Sequence, residues 1–304
     1  MSDTSARHDP IAAPTLAGRH LDRGRLVVSC RDGPGIIAAV SRFLADRGAN
    51  IVHSDQHTTD PDGGDFFLRM VFDLPALSDR LAVLAEEFSP IASAFGMDAR
   101  WALESEPRPI AIFVSTEDHC LLELLWHVRS GDLRAHVALV IGNHAEMAEV
   151  VRPFGIPFHH VPILPGHNSE VEAAQQALLE AASVDLIVLA RYMQVLSPAF
   201  IARWPNQIIN IHHSFLPAFV GARPFFQAQA RGVKLIGATA HYANEELDAG
   251  PIIEQDVIRV DHRHDVPALR RMSRAIERAV LARAVGWHLE DRVFVTGNKT
   301  VVFS

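Results

Sequence analysis

Cysteine is nearly absent from this 304-residue chain: Cys30 and Cys120 are the two, far apart in sequence. They are too few for a zinc cluster or a disulfide framework, and their scarcity fits a protein of the reducing cytoplasm. Positive charge is also short. Lys and Arg total 28 against 36 Asp and Glu, for a formal net charge of −8. That balance argues against a non-specific nucleic-acid or anionic-membrane binder, because both need a cationic surplus to displace counterions. Long apolar runs are missing too: stretches such as LIVLA at 186–190 fall far below the ~20 residues that span a bilayer. The first 24 residues carry scattered charge and no continuous apolar stretch of the signal-peptide kind, so a flexible tail is expected there. No internal repeat or low-complexity segment is found. What is present is apolar residue, 48% against 21% charged, which excludes a disordered, collagen-like or coiled-coil chain. At ~100–200 residues per domain, the length predicts one or two globular domains.

Residues 25–31 are rich in β-formers and lead through Asp32-Gly33-Pro34-Gly35 into a segment whose Ile36, Ile37, Val40, Phe43 and Leu44 share one helical face. Two strand-like runs, 50–59 and 65–74, flank Pro61-Asp62-Gly63-Gly64, a hairpin signal. A helix over 79–95 and a strand over 97–103 complete βαββαβ, a ferredoxin-like sandwich over 25–104. ESEPRP, with two prolines, marks a linker at 105–109. From 110 to 304 uniformly apolar strands alternate with helices. This pattern predicts an open, mostly parallel, Rossmann-like α/β domain with both sheet faces covered.

Ligands of such sheets collect beyond the carboxyl ends of the strands. The strand QIINI ends there, and period-two alternation puts Asn210 and His212 on one side with Ile211 on the other. An amide donor and an imidazole together can polarise a carbonyl and move a proton, the two tasks of acyl transfer. Asp248, in the turn-rich Glu-Glu-Leu-Asp-Ala-Gly-Pro segment, could fix the imidazole tautomer and orient a water. Taken alone, an Asn-x-His at a strand end is more often structural, and the Leu-Asp-Ala-Gly-Pro segment fits an ordinary turn.

The run 210–257 resembles the formyltetrahydrofolate-using formyltransferases. Its Asn-Ile-His, Ser-Phe-Leu-Pro, Gly-Ala-Thr-x-His and Glu-Leu-Asp-x-Gly-Pro elements stand in the order and spacing of that family. The resemblance implies that Asn210 donates to the formyl oxygen, that His212 is the general acid/base and that Asp248 organises water and imidazole. It further implies that His241 lines the same cavity. Arg191 to Pro198 resembles the family's folate-pocket segment, with Gln194 and Leu196 bonding the pterin through backbone groups and Met193 and Val195 as apolar walls. The bland reading is a helix start with Pro198 in its first turn.

The acceptor side favours hydrolysis. A phosphorylated amine needs a glycine-rich cradle after the first strand of its domain, and Ser115-Thr116-Glu117-Asp118-His119-Cys120 has no glycine and two adjacent acids. Ser115 or Thr116 is expected to cap the helix that follows. The first domain resembles an ACT domain, a regulatory module, and the two together resemble the formyltetrahydrofolate deformylases over about 25–304. This implies hydrolysis of 10-formyltetrahydrofolate, a linear amide-type C–N bond, to formate and tetrahydrofolate for one-carbon and purine metabolism. A folate-dependent formyltransferase with an unidentified amine acceptor is the alternative, and a non-catalytic folate or amino-acid sensor is a third reading. No metal or redox cofactor is expected beyond the folate substrate, because donors and a positioned base suffice. The resemblance also implies an amino-acid effector, glycine or methionine, at Asp32, Gly33 and Gly35, and a homo-oligomer, a dimer or tetramer. Metal binding by His159-His160 or by the 261–265 segment is not expected, and Asp265 reads as a helix cap. Cys120 reads as a small buried thiol.

Overall fold

The computed structural model describes residues 22–163, 166–218 and 224–304. The expected tail lies outside the described residues up to position 21, as do 219–223 within the resemblance run. The chain divides after Glu106 into two compact units.

The first unit runs β1 (Arg23–Arg31), α1 (Ile36–Asp46), β2 (Asn50–Thr58), β3 (Asp65–Asp73), α2 (Leu77–Phe95) and β4 (Asp98–Leu103). Its antiparallel sheet has the order β2-β3-β1-β4. The apolar stripe of α1 and the inner faces of β1 and β3 bury Leu26, Val28, Val40, Leu68 and Phe72. Phe43, Phe88 and Trp101 meet edge to face at 5.0–6.2 Å, an arrangement the ring quadrupole favours. Gly35 sits at φ 91° where α1 begins, a conformation side chains avoid. Asp32 does not cap that helix. Its Oδ1 accepts from the Gly33 N–H at 2.9 Å, and its own N–H donates to the Gly64 carbonyl at 2.8 Å, so it fixes the turn instead.

The second unit runs β5 (Arg108–Val114), α3 (His119–Ser130), β6 (Ala135–Gly142), α4 (Met147–Val151), β7 (Phe158–His160), α5 (Asn168–Ala181) and β8 (Leu186–Ala190). It continues through α6 (Pro198–Ile201), β9 (Ile208–His212), α7 (Pro224–Arg231), β10 (Leu235–Tyr242), β11 (Ile252–Arg259), α8 (Val266–Leu289) and the hairpin β12 (Val293–Thr296) and β13 (Lys299–Val302). β5 takes in Arg108 and Pro109, two residues that the composition assigned to a linker. The sheet order is β11-β10-β9-β8-β5-β6-β7, parallel from β9 to β7, with β10 antiparallel to both of its neighbours. Strand alternation accounts for the two-sided core: Ile110, Ile112 and Val114 of β5 enter the cluster that holds α3 and α8, while Ala111 and Phe113 enter the one that holds α5 and α6. Asp265 Oδ1 accepts from the Ala268 N–H at 2.8 Å and caps α8. From β5 the chain winds outward through β6 to β7, then returns to β8 on the other side of β5. The strand ends beside that reversal form the crevice where an open sheet takes its ligands. Among the described residues no helix is long and apolar enough to cross a membrane.

Candidate active site

β9 delivers two side chains to the crevice. Ile211 points into the core, so Asn210 and His212 share the opposite face. The antiparallel neighbour β10 sets His241 across from Asn210. His241 Nδ1 lies 2.9 Å from the Tyr242 carbonyl and must donate to it. In the neutral ring Nε2 is then an acceptor, and the Asn210 amide nitrogen donates to it at 3.2 Å. That amide keeps one N–H for a ligand.

Asp248 arrives from the 243–251 turn. It holds φ 57°, and a Cβ at Gly250 would stand 1.8 Å from the Tyr242 carbonyl oxygen. Only glycine allows the turn to close that tightly against β10. The carboxylate lies 3.1 Å from His212 Nδ1 through Oδ2 and 3.8 Å from His241 Nε2 through Oδ1. Burial alone would raise the Asp248 pKa. The hydrogen bond and charge of His212 outweigh it and hold the carboxyl well below the usual range. His212 Nε2 has no hydrogen-bond partner, so the Asp248–His212 pair leaves one imidazole nitrogen for a ligand.

Asn210, His212, His241 and Asp248 all line one cavity of about 430 Å³, together with residues 191–196, a size suited to a small-molecule ligand. Met193 and Val195 stand 56% and 72% exposed at its rim, while the Leu196 side chain is buried in the α5–α6 core. The strip is strapped at both ends. Ser115 Oγ accepts from the Met193 N–H at 3.1 Å. Glu172 accepts from the Ser197 N–H at 2.7 Å and from its hydroxyl, and Ser197 Oγ also caps α6. Ser115 and Thr116 are therefore not the caps of α3, which begins at His119 after Asp118 with no side-chain cap. The Ser115 hydroxyl holds the strip instead.

His213 stacks between His212 and Phe225, with ring centroids 5.3 and 5.6 Å away. Burial, then the charges of Arg191 and His212, push its pKa down to about 4, so it is neutral at pH 7. A folded-state pKa below the unfolded value makes the unfolded chain bind more protons between pH 4 and 6.5. Stability from this group is complete above about pH 6.5 and declines toward pH 4, by roughly 3 kcal/mol at ~1.4 kcal/mol per unit. His213→Phe should flatten that part of the stability profile in urea titrations, and an unchanged slope would contradict it.

Behind the cavity stands a group that sequence reading passed over. Glu277 of α8 accepts from Ser273 Oγ at 2.6 Å and meets His119 Nε2 at 2.9 Å and Arg191 Nε at 3.4 Å. Burial would raise its pKa; His119, Arg191 and Ser273 reverse that and bring it down to about 2. A signal was present, because Glu277 shares the helical face of Ser273, Val280, Leu281 and Ala284, where a carboxylate needs a buried partner. His119, Cys120 and Glu277 also bring metal-ligand atoms within 4.8 Å of one another. The Arg191 guanidinium already neutralises that carboxylate, and burial raises the Cys120 thiol pKa well above its ordinary value, so the chemistry of the set opposes a cation. His159 and His160 lie in succession on β7, and Asp261 pairs with Arg263 and His264.

Residues 108–285 match the formyl transferase family model and residues 24–88 the ACT domain model. The formyltetrahydrofolate deformylase of Bacillus subtilis is 56% identical over 283 residues, 93% of this chain and 94% of that protein. A solved formyltetrahydrofolate deformylase from Pseudomonas syringae superposes with a TM-score of 0.90 at 46% identity, covering 93% of this chain and 95% of that one. A glycinamide ribonucleotide transformylase from Symbiobacterium toebii covers 66% of this chain and 96% of its own, with a TM-score of 0.63 at 31% identity. With an ACT domain ahead of a formyl transferase domain and whole-length identity at this level, the chain belongs to the formyltetrahydrofolate deformylase family.

Proposed function

We propose that the chain hydrolyses 10-formyltetrahydrofolate to formate and tetrahydrofolate. The observation that carries this reading is the convergence of Asn210, His212 and Asp248 on one cavity, where His212 Nδ1 and Asp248 Oδ2 are 3.1 Å apart. In the reaction Asp248, directly or through His212, takes a proton from a water whose oxygen attacks the formyl carbon, and the free Asn210 N–H and the His212 imidazolium then donate to the oxyanion that forms. The C–N10 bond then breaks and N10 receives a proton. Met193, Gln194, Val195 and Leu196 bind the pterin, and His241 orients the Asn210 amide. No metal or redox cofactor takes part.

The same proposal extends to context. The enzyme works in the cytoplasm, supplies formate to one-carbon and purine metabolism, and assembles as a dimer or tetramer. The edge positions of β2, which is largely exposed, and of β4 support such pairing. Glycine or methionine acts as effector at the Asp32–Gly35 turn, which the ACT match supports. Purified protein given 10-formyltetrahydrofolate and no acceptor should release formate and tetrahydrofolate in equal amounts, at a rate unaffected by a chelator. No formate under these conditions, or loss of activity on chelation with recovery on metal addition, would overturn the reading.

A further inference from the structure

We propose that Arg191, anchored by Glu277 and His119, closes the side of the cavity from which an amine acceptor would approach, so that water alone reaches the formyl carbon. This deepens the hydrolase reading and rests on it. A transferase needs room for a second substrate beside the folate, and the related fold named as a glycinamide ribonucleotide transformylase shows that this scaffold can serve one. Here the cavity is walled by Leu189, 191–196, Ile201, 210–213, His241 and 243–248. Among the described residues neither the loop after β5 nor α8 contributes to its lining.

Of the buried ionic group, only Arg191 touches the cavity. It leaves the end of β8 at φ 62°, in the left-handed region where a residue with a side chain is uncommon. Arg191 is held there by Glu277. That carboxylate is fastened in turn to α3 through His119 and to its own helix through Ser273. The side chains of Arg191, His119 and Glu277 are 12%, 10% and 3% exposed, so they occupy space rather than line a channel. Arg191 Nε and His119 Nδ1 make no hydrogen bond but face the carboxylates of Glu277 at 3.4 Å and Glu117 at 3.6 Å, so charge pairing holds them. In the loop after β5 Glu117 pairs with Arg274 at 2.9 Å and faces His119 Nδ1 at 3.6 Å, so the cations there are already engaged, whereas a phosphorylated acceptor would need free cations or backbone N–H groups.

The test removes the obstruction with charge kept in balance. Wild type, Arg191→Gly/Glu277→Gln and Arg191→Ala/Glu277→Ala are given 10-formyltetrahydrofolate with glycinamide or hydroxylamine, and formate and formyl-amine are quantified by mass spectrometry. In transfer the amine nitrogen attacks the formyl carbon, the C–N10 bond breaks and the amine proton ends on N10. Wild type should give formate with a negligible share of formyl-amine. Whichever double variant folds should raise that share at least about tenfold while still releasing formate, since the substitution acts on what fits beside the folate. Wild type that formylates glycinamide as readily as it hydrolyses, or folded variants with the wild-type partition, would overturn the proposal. Wild type that releases no formate without an acceptor would sink the hydrolase reading first and this proposal with it.

Discussion

Asp248→Asn should lower the rate of formate release by roughly 10³–10⁴-fold, the scale on which a buried carboxylate that fixes an imidazole acts in acyl transfer. Tetrahydrofolate binding should change by less than about threefold, because the substitution removes a charge used mainly in the transition state. The geometry explains the split. Asp248 faces His212 Nδ1 at 3.1 Å and His241 Nε2 at 3.8 Å, so an amide would favour the wrong imidazole tautomer and could not receive a proton from water. The Met193–Leu196 strip, strapped by Ser115 and Glu172, is untouched. Stopped-flow absorbance for turnover and calorimetry for tetrahydrofolate separate the two effects. A parallel loss of binding would mean that Asp248 shapes the pocket rather than the reaction.

Glu277→Ala should be the most destabilising single change in the second unit. It strands the Arg191 guanidinium and the His119 imidazole in a buried setting without their anion. Breaking a buried ion pair from one side costs about 3–5 kcal/mol, which for a unit of this size lowers Tm by roughly 10 °C. The balanced Arg191→Gly/Glu277→Gln pair should lose less than half of that, because no uncompensated charge remains. Calorimetry compares them directly, and equal losses would show that volume, not charge, dominates.

Much of this architecture is legible in the residues. The βαββαβ order and the two-sided parallel strands follow from apolar periodicity and turn chemistry, and alternation along β9 places Asn210 and His212 on one face. The Asp265 cap is equally local. Long-range pairings are not written in local pattern. Ser115 reads as a helix cap because Ser before a helix usually is one, and its engagement by the Met193 N–H depends on β5 and β8 lying side by side. Asp32 stands in a turn legible from its glycines, and its side chain fixes that turn through the Gly33 N–H. Glu277 is conspicuous on a buried helical face, but its partners lie on α3 and at the end of β8, positions that only the fold unites. Pro109 stops most strands, yet at the start of β5 it is accommodated.

The most direct test of the account is a single-turnover reaction in isotopically labelled water, with wild type and Asp248→Asn followed side by side. The account predicts one solvent oxygen in each formate formed by wild type, and no labelled formate from the variant over the interval in which wild type consumes its substrate. Labelled formate from Asp248→Asn at the wild-type rate, or wild-type formate free of solvent oxygen, would contradict it.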